Sequence, residues 1–214
     1  MSIASEIKSV LQEVGSSITV RKWDGTLVTG EFIDDTSHTE KEKPIAQSFF
    51  FNLSLHHPTA IEVGDTVIWG TSPHIMEILV TAIAPQFFAR EIVEYIASGF
   101  VVNAKGAFYS FNQETDDATS DYDEVPKWLP VYPSIETHAT MIDSTLKDML
   151  QAIGGQSMDV ALDRPVLFVS SKFSNIAMGM QWRSTTGSMY KVNTVGDNSY
   201  IGIRAVFLSE ETRP

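Results

Sequence analysis

The side chains that point most directly to chemistry are an adjacent pair, His56-His57, and four tryptophans, Trp23, Trp69, Trp128 and Trp182. A shared metal would need both imidazoles on one side. Neighbouring residues on a strand face opposite ways, so the pair could meet an ion only if the chain turns at Pro58. A polar loop is the plainer reading. Indole rings can stack on sugars or bases. Trp69 and Trp182, however, each end a short β-rich run, which favours a place in a core or between modules. His38, His74 and His138 stand apart from one another. The 27 acidic residues offer many general acid–base pairs, and no spacing singles one out. Asp24 and Asp65 each adjoin a glycine, where Asp is ordinarily a turn former. The G-x-S-x-G, G-x-G-x-x-G, P-loop and H-E-x-x-H patterns are absent. There is no cysteine, which rules out disulfides, thiolate zinc sites and a Cys nucleophile. The expectation is a protein that is not an enzyme, with no catalytic, metal or cofactor-binding residues and no cofactor.

Charge points the same way. Fifteen Lys and Arg against 27 Asp and Glu leave a net charge of −12, which argues against a broad nucleic-acid-gripping face. The most basic set is Arg164, Lys172, Arg183, Lys191 and Arg204 in the second half. With 214 residues, 43% of them apolar, the chain can bury a core in one or two domains. The apolar stretch ILVTAIAPQFFA is too short for a membrane span and contains Pro85. The first residues lack a signal-peptide pattern, so folding in a cytoplasm is expected.

The elements that must position these side chains are mostly strands. Ile3, Ile7, Val10, Leu11 and Val14 mark a short amphipathic helix, capped by Ser2 and ended by Gly15. It either covers a sheet face or docks on a neighbouring subunit. Asp24-Gly25 between two β-rich runs predicts a hairpin with positive φ at both turn positions. Residues 34–47 read as a long exposed loop. In SFFFNLSL, Phe49, Phe51, Leu53 and Leu55 share one face. Residues 113–124, QETDDATSDYDE, hold six acids and precede Pro126, Pro130 and Pro133. They read as a linker or exposed loop, and a calcium loop lacks its glycine and terminal Glu. Ile142, Leu146, Met149, Leu150 and Ile153 predict a second helix ending at Gly154-Gly155, with Met141 and Met149 as core filler. More strands follow.

The two halves rhyme. VGDTVIW-GTSP-HIMEILVTAIA and MGMQWRS-TTG-SMYKVNTV are each a short strand, a turn and a longer strand. The expected fold is mainly β with a few helices (α+β). It comprises two small β-barrel or sandwich-like modules, each with one main amphipathic helix. The expected domains are residues 1–112, a linker at 113–133, and 134–214.

IEVGDTVIWGTSPHIMEILVTAI resembles the hairpin of head completion, or stopper, proteins in the neck of tailed bacteriophages. MSIASEIKSVLQEVGSSITVRKWDGTLVTGEFID and FFAREIVEYIASGFVVN are similar to other segments of such neck proteins. The resemblance covers roughly residues 1–112. The chain departs from the pattern at His74-Ile75-Met76, where an aromatic is common, and in its extra C-terminal module. The resemblance implies a structural virion protein that forms a homo-oligomeric ring between portal or adaptor and tail proteins. Such a ring closes the head at the head–tail junction and is assembled in the bacterial host cytoplasm. DNA would pass through it without tight binding, and no membrane is involved. A tail terminator or another connector ring is the near alternative. A small β-scaffold hydrolase or a carbohydrate-binding module is the alternative of a different class.

Overall fold

The computed structural model describes residues 3–34, 50–71, 73–112, 127–142, 164–200 and 202–211. Helix α1 (Ile3–Val14) is followed by β1 (Ser16–Arg21), β2 (Leu27–Asp34), β3 (Phe50–His56), β4 (Thr66–Thr71), β5 (His74–Phe88) and β6 (Glu91–Val101). These six strands close a barrel in the order β1-β2-β3-β6-β5-β4, all antiparallel. Then come β7 (Ala104–Asn112), β8 (Lys127–Pro130), β9 (Thr137–Ile142), β10 (Val166–Ser170), β11 (Gln181–Ser184), β12 (Met189–Tyr200) and β13 (Ile203–Glu210). Here β7-β9-β10-β13-β12-β11 form a second ring, closed where Trp182 pairs with Phe108. Closing each sheet on itself removes most exposed edges.

The two rings have one connectivity. Replacing β1, β2, β3, β4, β5 and β6 by β7, β9, β10, β11, β12 and β13 converts the first order into the second. The rhyming segments are the β4–β5 and β11–β12 hairpins, at equivalent places. Strand β8 is the addition. It pairs with residues 109–112 of β7, on the edge that β9 occupies at 104–106.

Alternation builds three apolar clusters. Ile18, Val20, Ile33, Leu53, Leu55 and Val67 fill the first barrel, and Phe51 joins them, as the alternation in FFFNLSL requires. Phe108, Leu167, Val169, Trp182, Val206 and Leu208 fill the second. The third cluster lies between the barrels: Leu79 meets Ile142, Val166, Phe168, Ile203 and Ala205. Ile78 and Val80 face the first interior while Leu79 between them faces the other barrel. Strand β10 is buried at all five positions because both its faces are covered. Two loop glycines allow the close approach. A Cβ on Gly202 would stand 2.5 Å from Val63 Cγ1, and one on Gly64 would collide with the Ser170 hydroxyl. Both glycines have positive φ, +84° and +92°.

Several expectations change here. Asn112 does not end a module, because Ala104–Asn112 pairs entirely within the second barrel. Asn112 pairs with Lys127, so the acidic stretch 113–126 joins two strands of one hairpin, not two domains. Composition marks a loop but cannot say which elements it connects. Among the described residues α1 is the sole α-helix. The expected second helix begins in error, since Thr137–Ile142 is strand β9, buried on both faces. The rest of that segment lies outside the described residues, as does the expected loop at 34–47 apart from Asp34, which ends β2. At Asp24-Gly25 only Gly25 has positive φ, +88°. Lys22 and Thr26 close a three-residue loop through a 2.8 Å hydrogen bond, and such a loop needs one left-handed residue, not two.

Candidate functional site

Four residues far apart in sequence meet where the barrels join. Glu77 on β5 receives Arg21 from the end of β1, Lys105 from the start of β7 and His138 from β9. Lys105 Nζ donates to Glu77 Oε1 at 2.7 Å, Arg21 Nη1 to Oε2 at 3.0 Å, and His138 Nδ1 faces Oε2 at 2.7 Å. The other ring nitrogen of His138 faces Glu136 Oε2 at 3.1 Å. The His138 contact, then the Lys105 hydrogen bond and the charges of His138 and Arg21, outweigh burial and pull the Glu77 carboxyl down to about 2. Both its oxygens are engaged, which ties this carboxylate into the joint.

The same joint is pinned elsewhere. Lys172 Nζ donates to Glu62 Oε2 at 2.5 Å, and Thr140 Oγ1 to the Val101 carbonyl at 2.9 Å. Trp23 packs edge-on against Phe173, with ring centres 5.9 Å apart. Hydrogen bonds, ion pairs and the shared apolar cluster make the two barrels one body.

Beside Glu77 lies a groove of about 500 Å³, lined by His74, Ile75, Met76, Val101, Val102 and Lys105. The other end of β5 leaves the barrel altogether. Strand β4 pairs with β5 only as far as Leu79, and β3 pairs with β6 only from Glu94 onward. Residues 87–92 are therefore a two-stranded ribbon with no neighbour among the described strands. Its tip exposes Phe87 and Phe88, at 64% and 58%. Its turn, Ala89-Arg90, has positive φ at both residues, 49° and 74°, without a glycine or asparagine. L-residues take that conformation at a cost of roughly 1–2 kcal/mol each.

His38 lies outside the described residues, and among the described residues those singled out by type do not converge on one place. The chain does turn after His56-His57, through a cis bond to Pro58. The two imidazoles nevertheless have different surroundings. His56 is buried, with neither ring nitrogen hydrogen-bonded and Nε2 3.3 Å from Glu31 Oε2. Burial pushes it below the usual histidine range, although Glu31 opposes this. His57 Nδ1 faces the Tyr95 hydroxyl at 3.2 Å. Among the described residues no three His, Asp or Glu converge on a metal position. Asp24 caps its turn by accepting from the Thr26 amide, which lowers its carboxyl pKa. Asp65 does more than form a turn: fully buried, it accepts from Lys22 Nζ at 2.6 Å and from the Glu62 amide.

Trp182 is fully buried and Trp69 packs against the first core. Trp128 stacks edge-on with Phe111, and the Arg183 guanidinium lies over Tyr109 at 4.4 Å and near Trp128 at 6.0 Å. Three of the basic set of the second half are engaged within the fold. Lys172 holds Glu62, Arg183 sits on rings, and Arg204 donates to the carbonyls of Phe173 and Ser174.

No protein-family model and no curated protein matches the chain. Among solved structures it aligns weakly with MrkH, described as a c-di-GMP-dependent transcription regulatory factor. The identity is 11% over 99% of this chain and 84% of that one, with a TM-score of 0.22. At that score the alignment carries no argument about fold or function.

The Glu77 cluster and the hairpin arm were missed in the sequence. Residues 21, 77, 105 and 138 have no common local pattern. The arm had a signal: Phe87-Phe88 follows Pro85 at the end of an unusually long strand.

Proposed function

We propose that the chain is a structural ring subunit in the neck of a tailed bacteriophage, closing the DNA-filled head and joining it to the tail. One observation supports this reading beyond the sequence resemblance: a double barrel projects a β-ribbon whose tip presents two adjacent exposed phenylalanines. Exposed aromatic pairs on an otherwise acidic protein mark contact surfaces. Within this proposal the partners are further copies of the chain, the portal or adaptor on one side and tail proteins on the other. The acidic chain lets DNA pass without holding it. A tail terminator or other connector ring uses the same features at a neighbouring level.

The test is genetic. A phage lacking this chain is expected to accumulate packaged heads and finished tails that stay unjoined. Complete infectious particles in its absence would overturn the proposal.

A further inference from the structure

We infer that the exposed stripe of helix α1 seats on the aromatic and basic face of the second barrel of a second copy of this chain. The inference rests on the homo-oligomeric part of the reading above and assigns the two surfaces.

The packing inside one copy is the template. Strands β1, β4 and β5 form one half of the first ring, and β2, β3 and β6 the other. The joint takes Arg21, Glu77 and Leu79 from the first of these halves. From the second barrel it takes His138, Phe168 and Ala205, on β9, β10 and β13, the counterparts of β2, β3 and β6. Each barrel therefore keeps one half that the joint does not use. On the second barrel this is β7-β11-β12. On the first it is β2-β3-β6, and α1 packs across β1, β2, β3 and β6. The helix thus occupies on the first barrel the place that the first barrel takes on the second. Repeating the joint between copies brings α1 of one copy to β7-β11-β12 of the next. Such a contact is head-to-tail, and it closes into a ring or runs on as a filament.

The two surfaces are complementary and their charges are unspent. Leu11 holds the inner side of α1. Glu6, Val10, Glu13 and Val14 recur at helical spacing as one exposed stripe, with Val10 and Val14 exposed at 55% and 74%. The receiving face carries Tyr109, Phe111, Trp128 and Arg183, and Phe111 is 47% exposed. Tyr109, Gln181 and Lys191 pair in one row across β7, β11 and β12, so Lys191 stands beside the rings. Arg183 is held in place: its Nε donates to Gln181 Oε1 at 2.6 Å and its plane lies over Tyr109. Among the described residues neither its Nη atoms nor Lys191 Nζ meets a carboxylate, and neither Glu6 nor Glu13 meets a cation. A fixed guanidinium edge takes a carboxylate through two parallel hydrogen bonds. Glu6 and Glu13 lie about 10 Å apart along the helix at about 1.5 Å per residue, so one can meet Arg183 and the other Lys191. The valines between them then cover the Phe111–Trp128 rings.

The test uses the full-length chain without mutation. A water-soluble carbodiimide joins an amine to a carboxylate only where the two touch. An equal mixture of isotopically light and heavy protein, treated at high concentration, shows by peptide mass which bonds run between copies. The expected product joins Lys191 to Glu6 or Glu13 in mixed light–heavy pairs. Arg183→Glu should reduce these pairs about tenfold or more by setting like charges opposite one another. Adding Glu13→Arg should restore the Lys191–Glu6 pair, which also shows that the Arg183→Glu chain folds. Absence of any Lys191 bond to α1, or such bonds only within one isotopic form, overturns the inference. So does a yield that Arg183→Glu leaves unchanged. Mixed pairs from purified chain support this contact even if the phage phenotype fails, and a neck phenotype without them leaves the neck reading standing and removes the contact.

Discussion

Glu77 Oε2 lies 2.7 Å from His138 Nδ1, and the two residues belong to different barrels. That contact, with Arg21 and Lys105 on the same carboxylate, makes the joint between the barrels sensitive to acid. The folded carboxyl titrates near 2, below its ordinary 4.5. Its stabilisation is thus fully present above pH 4.5 and is lost as pH falls towards 2. Glu77→Gln should lower stability by about 1–3 kcal/mol near neutrality. A tenfold change in proton affinity corresponds to about 1.4 kcal/mol, and partial solvation of the side chain reduces the sum. Denaturant titrations of both proteins should converge as pH approaches 2. Equal stabilities at pH 7 would contradict this role.

His56 supplies a second, higher window. Its folded imidazole is held below 6.5 by burial, so its contribution is present above pH 6.5 and declines as pH falls below it. Wild-type stability should start to drop below pH 6.5, before the Glu77 window opens. His56→Gln should flatten that first decline in a melting-temperature series.

Gly202 is a tight point of the joint. Its φ of +84° and the nearness of Val63 leave no room for a side chain. Gly202→Ala should cost roughly 2–4 kcal/mol, from left-handed strain plus steric displacement of the facing loop. The loss should appear in urea unfolding as a lower midpoint, whereas alanine at exposed Gly179, with nothing near its Cβ position, should cost only the backbone strain.

The ribbon turn holds backbone strain at Ala89 and Arg90. Ala89→Asn with Arg90→Gly places the favoured residue types in a turn with both φ angles positive. The pair should raise stability by about 1 kcal/mol. A lower melting temperature for this variant would mean that the ribbon has other contacts.

Double-stranded DNA should bind the isolated protein negligibly at physiological salt. Affinity grows with the number of free cations that displace counterions. Here Arg21 and Lys105 serve Glu77, Lys22 serves Asp65, Lys172 serves Glu62, and Arg183 lies over Tyr109. Mobility-shift titrations at two salt concentrations check this. Tight binding that falls steeply with salt would show an uncompensated basic surface.

The repeated barrel plan was legible in the sequence because strand length and turn chemistry are local. The short–long hairpins around Gly70 and Gly187, and the alternation Phe51, Leu53, Leu55, stand in the structure as they read. The module boundary was not legible. An acidic, proline-flanked stretch suits a hairpin loop as well as a linker, and only the pairing of Asn112 with Lys127 decides. Strand β9 was misread because its two buried faces erase the period of two that marks a half-exposed strand. The Glu77 cluster was invisible because its members are brought together by docking of barrels, which no local spacing encodes.

A cryo-EM reconstruction of the head–tail junction in intact particles tests whether this double barrel is a ring subunit of a phage neck. A closed ring is expected at that junction, into which the double barrel fits as one body. A junction whose density cannot hold two six-stranded barrels per subunit, or this chain found elsewhere in the particle, would contradict it.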